Sequence, residues 1–325
     1  MITLLTSDIH QKISGGNIYN SQLLAVLQKH QFLTSLEMIV DLNTLAFQTN
    51  KIYIADGILI QPELDVNRFK NHQVFFLIHL WPSKNPALAA SMREKLIVVE
   101  KEICQNFNVI VTGQSSFDYI TLGLGQSTKN TLLLQPGIPD YWIQKKVYPK
   151  LPQKILYLSN FIEGKGHDTL LAVMAKLNIE SVAVDCYGEI LSETYFKVFN
   201  RSVEQLGLRN IRYKGVVDYK QINPLLLEYD LLLHFSEYES FGMSCLEAMA
   251  SGIPIVMTPT GNYENYLAMG IRGVLPNFEI TEAFSQLKKI ITTEAYYQEH
   301  FVSLAHFDCP TWGKTFEPLL LKLKP

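Results

Sequence analysis

Two glutamates, Glu239 and Glu247, stand eight residues apart in the stretch Ser236–Val256, SEYESFGMSCLEAMASGIPIV. Between them the turn Ser240-Phe241-Gly242-Met243 leads from a strand that reads LLLHF into a helix. Gly242 allows a ligand to approach the backbone closely. The amides after it, through Met243 and Ser244, leave a helix N-terminus, where anions are favoured. Two carboxylates flanking such a turn suit a polyhydroxylated ligand whose phosphates rest on the amides. A plainer reading exists for the second carboxylate. Ser244-Cys245-Leu246-Glu247 has the form of a capping box, which needs no ligand.

Other residues carry weaker signals of the same kind. Lys165 in SNFIEGKGHDTLL precedes Gly166 and a helix, so an ammonium and helix amides would together hold a diphosphate. Gly15 and Gly16 follow the first strand in ISGGNIYN and precede a helix. His79 ends the apolar strand VFFLIH, and its plain reading is a strand-terminal histidine bonded within a loop. The GLGQ run at Gly123–Gln126 follows a helix, not a strand, and is discarded as a dinucleotide signature. No aspartate lies two residues from another, so the D-x-D pair that holds a divalent ion against a diphosphate is missing. No metal and no other cofactor is expected.

Elements that alternate between strand and helix must position these groups. In the first half, strands are expected at Ile2–Ser7, Leu36–Val40, Ile52–Ala55, Val74–His79, Val109–Thr112 and Thr131–Leu134, with helices at Ile18–His30, Ala87–Asn106 and Ser116–Leu122. The proline-rich stretch Pro136–Gln153 breaks the pattern and reads as a connection. It restarts with strands at Lys154–Ser159, Val182–Tyr187, Ile211–Tyr213, Asp230–Phe235, Pro254–Met257 and Gly273–Leu275. Helices are expected at His167–Leu177, Leu191–Leu206, Gln221–Glu228, Ser244–Ala250 and Thr281–Thr292. The pattern predicts two doubly wound α/β domains, residues 1–148 and 149–309, with ligands at the carboxyl ends of the strands and a cleft between the sheets. An amphipathic segment, 310–325, ends the sequence.

The 325 residues suffice for two such domains. A net charge of −3 with 18% charged residues lacks the basic stripe of a nucleic-acid protein. Cys104, Cys186, Cys245 and Cys309 show no CxxC spacing and read as free thiols of a reducing compartment. The N-terminus has no signal-peptide pattern, and no run of 18 apolar residues occurs. The expectation is a cytoplasmic protein, with peripheral contact at the inner face of the membrane left open.

The Ser236–Val256 stretch resembles the E-x7-E region of glycosyltransferase family 4, usually close to EGFGLPxLEAMAxGxPVV. The match runs through Glu239, Phe241, Gly242, Leu246, Glu247, Ala248, Met249, Ala250, Gly252, Pro254 and Val256. The order IADG…LIHLWP…VEKEI…VIVT is similar to that family's first domain, less tightly. The resemblance implies a GT-B architecture: two Rossmann-like domains facing across a cleft, an acceptor-side first, a donor-side second, and a final helix crossing back. It implies a retaining, metal-independent transfer of a hexosyl group from a UDP- or GDP-sugar to a carbohydrate or lipid-linked acceptor in glycan, polysaccharide or glycolipid synthesis. Glu239 and His79 would act at the sugar. Gly15, Gly16, Lys165, Gly242, Met243 and Ser244 would hold the phosphates, with Phe241 beside them, and Glu247 the ribose. Gly188 in CYGE resembles the family's glycine after the second strand of that domain, and Val217 in YKGVVD the loop beside the base. The sequence departs from the family at Ser159-Asn160, where Gly-Arg is common, so Asn160 brings no cation to the donor site. A binding subunit that has lost transfer, and a nucleotide-sugar epimerase, are the competing readings.

Overall fold

Short runs in the first part of the chain pair as parallel strands, the central four of them buried along most of their length, as crossover helices require. They are β1 (Ile2–Thr6), β2 (Thr34–Met38), β3 (Ile52–Asp56), β4 (Gln73–Ile78), β5 (Asn108–Val111) and β6 (Thr131–Leu133). The sheet order is β2-β1-β3-β4-β5-β6. Helices α1 (Gly15–Lys29), α2 (Ala90–Asn106) and α3 (Gln114–Leu122) lie among them. This computed structural model describes residues 1–7, 14–85, 88–144, 148–305 and 307–323. The expected helix start at Ala87 lies outside them.

Helix α1 begins three residues before the expected Ile18. Ser14 caps it, its Oγ accepting from the Asn17 amide at 3.2 Å. Gly15 and Gly16 therefore form the first helical turn, where a loop ahead of the helix was expected. The last helix, α11 (Trp312–Leu323), packs on α1. The Tyr19 ring meets Trp312 and Phe316 edge-on, at 5.4 and 5.2 Å, and the Tyr19 hydroxyl donates to the Leu134 carbonyl at 2.8 Å. Met1–Gly137 and Pro310–Pro325 thus make one compact unit.

The second unit is Ile138–Cys309. It begins ahead of the expected boundary at 148/149, because the proline-rich stretch is tied into it. Trp142 Nε1 donates to Ser251 Oγ at 2.8 Å, and the Ile143 amide to Asn223 Oδ1 at 2.9 Å. Its strands are β7 (Lys154–Leu158), β8 (Ala183–Tyr187), β9 (Ile211–Tyr213), β10 (Leu231–His234) and β11 (Ile255–Met257), all parallel, in the order β11-β10-β7-β8-β9. The expected sixth strand at Gly273–Leu275 is reduced to a single bridge between Val274 and Met257. Gly273 takes φ +97°, outside strand geometry.

The helices of this unit are α4 (His167–Leu177), α5 (Glu193–Gln205), α6 (Ile222–Leu226), α7 (Met243–Ala250), α8 (Tyr263–Ala268), α9 (Ile280–Thr292) and α10 (Glu294–Leu304). The helix expected over Gln221–Glu228 is a 3-10 turn, Tyr219–Gln221, followed by the short α6. Helices α8 and α10 were not expected. Apolar side chains of α4, α5, α9 and α10 cover one face of the sheet. Those of α6, α7 and α8 pack with β10 and β11 in a second cluster.

Candidate functional site

In the second unit, two loops that leave the carboxyl ends of β7 and β10 are fastened to each other. Tyr157 on β7 donates its hydroxyl to the Lys165 carbonyl at 2.7 Å, and the same oxygen accepts from the Phe235 amide at 3.3 Å. The Glu237 amide donates to the Gly164 carbonyl at 2.9 Å. Gly166 takes φ +72°, and a Cβ there would stand 2.0 Å from the Phe235 carbonyl oxygen, so only glycine fits. This junction sets Lys165 beside Glu239.

The Lys165 ammonium donates to Glu239 Oε1 at 2.6 Å, with side chains 29% and 15% exposed. His234, the last residue of β10, brings Nε2 within 3.4 Å of the same oxygen. Its Nδ1 lies 3.3 Å from Ser244 Oγ in the first turn of α7. Burial by itself would raise the Glu239 pKa; Lys165 and His234 overcome it and hold the carboxyl well below the usual range. Glu239 is therefore a carboxylate at neutral pH. His234 is a member of this cluster that the sequence reading missed. It sits inside an apolar run, and only its place at the strand end gave a signal.

Gly242 caps α7 in the left-handed region, φ +85°, with no side-chain cap. The capping box expected of Ser244 and Glu247 does not form, because Ser244 lies inside the helix with its hydroxyl toward His234. Glu247 is buried, and its Oε1 has no hydrogen-bond partner among the described residues. Burial pushes its pKa up to about 8. A buried, unsatisfied carboxyl is costly, so the plain structural reading of Glu247 loses its support. Met243 is the first residue of α7, and Phe241 is buried behind the turn, its carbonyl accepting from the Asn262 amide at 2.9 Å.

The remaining positions of this unit are structural neighbours of the same edge. Asn160 Oδ1 accepts from the Glu189 amide at 2.9 Å. A Cβ on Gly188 would stand 2.0 Å from the Ser159 carbonyl oxygen. Val217 is half-buried beside the β10–α7 cluster. His167, which opens α4, is buried and stacked on Phe161 at 4.2 Å; burial first, then Lys165 and His234, push its pKa down to about 3.

The first unit has its own cluster at the carboxyl end of β3 and β4. His79 follows β4, and its Nε2 lies 3.0 Å from Asn20 Oδ1 on α1. Asn20 Nδ2 donates to Asp56 Oδ2 at 2.6 Å. Burial lowers the His79 pKa, against a smaller upward pull from Asp56. Gly16 packs on the ring: a Cβ there would be 3.2 Å from His79 Cδ2. Gly16 and His79 are thus brought together, while Gly15 precedes them on the helix. Asn20 is a second residue missed from the sequence. The VEKEI glutamate Glu100 is also buried, accepting from the Ser83 amide and hydroxyl at 2.8 and 2.6 Å. Burial raises its pKa to about 7 despite those bonds.

Residues 140–301 match the family described as Glycosyl transferases group 1. Mannosylfructose-phosphate synthase of Agrobacterium fabrum is 27% identical over 180 residues, covering 50% of this chain and 40% of that relative. The chain therefore spans less than half of that relative's length. Two solved structures share the fold over 99% of this chain. Sucrose-phosphate synthase from Thermosynechococcus elongatus does so with a TM-score of 0.79, 17% identity and 98% of its own chain. Anabaena HepE in complex with UDP and glucose does so with a TM-score of 0.73, 15% identity and 99% of its chain. Residues 140–301 are thus similar to the group 1 glycosyltransferases, and the two parallel-sheet α/β units have the GT-B fold.

Proposed function

We propose that the protein is a retaining, metal-independent glycosyltransferase that moves a hexosyl group from a UDP- or GDP-sugar to a hydroxyl of a carbohydrate or lipid-linked acceptor. The observation that carries this reading is the Lys165–Glu239 pair beside the uncapped N-terminus of α7. A departing nucleoside diphosphate develops negative charge. The Lys165 ammonium and the α7 amides offer preorganised compensation for it, worth most where water is excluded. Glu239, kept ionised, accepts from sugar hydroxyls and stabilises positive charge that builds on the anomeric carbon. Glu247 offers a buried carboxyl to ribose hydroxyls. On the first unit, His79 offers a ring nitrogen to a sugar hydroxyl.

Metal independence rests on the missing D-x-D pair and on Lys165 as the cation. The UDP and glucose bound to Anabaena HepE support a uridine donor. Asn160 favours one other reading, a binding subunit without transfer. It stands where the family commonly has arginine, and its oxygen is held by the Glu189 amide. Incubation with UDP- and GDP-sugars and a panel of glycan acceptors, with NMR of the product's anomeric configuration, separates the two. Donor binding without product would establish the binding subunit. An inverted product would refute retention.

A further inference from the structure

The geometry of the first unit fixes more than the position of His79. Asp56 accepts three hydrogen bonds: from the Ile58 amide to Oδ1 at 3.0 Å, and from Thr6 Oγ1 and Asn20 Nδ2 to Oδ2 at 3.3 and 2.6 Å. A backbone N–H can only donate, and so can a side-chain NH₂. Asp56 is thereby read as a carboxylate that only accepts. It follows that the Asn20 amide cannot flip: its NH₂ must face Asp56, and its oxygen must face His79. That oxygen is an acceptor, so His79 Nε2, 3.0 Å away, must carry the proton.

The ring is also held sterically. Gly16, Tyr19 and Asn20 lie on one face of α1, at the i, i+3, i+4 spacing. Gly16 lies under the Cδ2 edge, and Tyr19 stands edge-on at 5.1 Å. Among the described residues Nδ1 has no hydrogen-bond partner, and the side chain is 17% exposed. Asn20 is buried with both ends of its amide satisfied, among the described residues by Asp56 and by His79. A buried amide exchanging one bond with a carboxylate and one with an imidazole is a relay between them.

We infer that Asn20 is a positioning residue which, held by Asp56, locks His79 as the Nε2–H tautomer and leaves Nδ1 as a bare acceptor for a hydroxyl proton of the substrate. The ring then accepts from a hydroxyl and does not donate to it. The substrate part rests on the glycosyltransferase reading; the tautomer does not.

The experiment is NMR of the full chain labelled with nitrogen-15 in histidine, with the His79 signals assigned by their loss in His79→Ala. At pH 7.5 the wild type should show His79 neutral, with the proton on Nε2 and protected from exchange with water. In Asn20→Ala, and in the near-isosteric Asn20→Leu, that protection should be lost and the Nδ1–H form should become detectable. Turnover should fall at least tenfold in both, with affinity for UDP or GDP within about twofold of wild type. A wild type that carries the proton on Nδ1, or an unchanged His79 signal in a folded Asn20 variant, overturns the inference. If neither variant folds, the wild-type tautomer and its slow exchange decide alone. Because the spectra need no donor or acceptor, failure of the glycosyltransferase reading leaves this test standing.

Discussion

The Lys165 ammonium lies 2.6 Å from Glu239 Oε1, so the cation offered to a diphosphate is already shared with a carboxylate. The two residues should therefore respond differently to removal. In Glu239→Ala the ammonium is freed, and affinity for UDP or GDP should hold or rise while transfer falls by about a hundredfold or more. In Lys165→Ala a charge-assisted contact worth roughly 1.5–3 kcal/mol is lost. Affinity for the nucleoside diphosphate should drop about tenfold to a hundredfold, and that for the nucleoside hardly at all. Calorimetry with both ligands checks this. Equal weakening for nucleoside and diphosphate would mean that Lys165 supports the fold instead.

Proton uptake and release give a second handle. Glu247 has its pKa raised to about 8 and Glu100 to about 7. Acids raised in the folded state are still protonated when the unfolded chain has ionised, so stability falls as pH rises through these values. The buried histidines, lowered by burial, act below the ordinary histidine range near pH 6.5 and are silent above it. Denaturant unfolding should therefore show stability declining from pH 6.5 to 8. Glu247→Gln should flatten that decline. If ribose hydroxyls donate to Glu247, binding of UDP at pH 7 should also release a proton, absent in Glu247→Gln. Calorimetry in buffers of different ionisation enthalpy reads it directly.

Gly16→Ala sets two effects against each other. In the first turn of α1 alanine is the better helix former, by about 0.8–1 kcal/mol at most. Its Cβ, however, arrives 3.2 Å from His79 Cδ2, and the ring must give by a few tenths of an ångström. Stability should stay level or rise while turnover falls severalfold. A variant with full turnover would mean that the His79 position is not critical.

Transfer should continue in excess EDTA. Complete loss, restored by manganese, would end the metal-independent reading, and the charge on the diphosphate would then need another account.

Much of this architecture is legible in the sequence. The apolar runs gave all of β9 and α4, and most other elements to within a few residues. What stayed hidden depended on contacts distant in sequence. Gly273–Leu275 has strand-like residues, but the positive φ of Gly273 leaves one bridge only. The start of α1 was placed late because glycines argue against helix, whereas Ser14 supplies the cap. The capping box was a local pattern overruled by His234, which draws Ser244 away. His234 and Asn20 carry no motif. One sits in an apolar strand and one in an amphipathic helix, and each acquires meaning only when the sheet aligns it with Glu239 or Asp56.

The first unit is stitched from two stretches that flank the whole of the second. As the chain leaves the ribosome, Tyr19 emerges long before Trp312 and Phe316 arrive to pack on it. The second unit is contiguous in sequence and can fold as it appears, domain by domain, as is usual during synthesis. Until α11 emerges, the Tyr19 ring lacks the two aromatic partners that cover it in the folded unit.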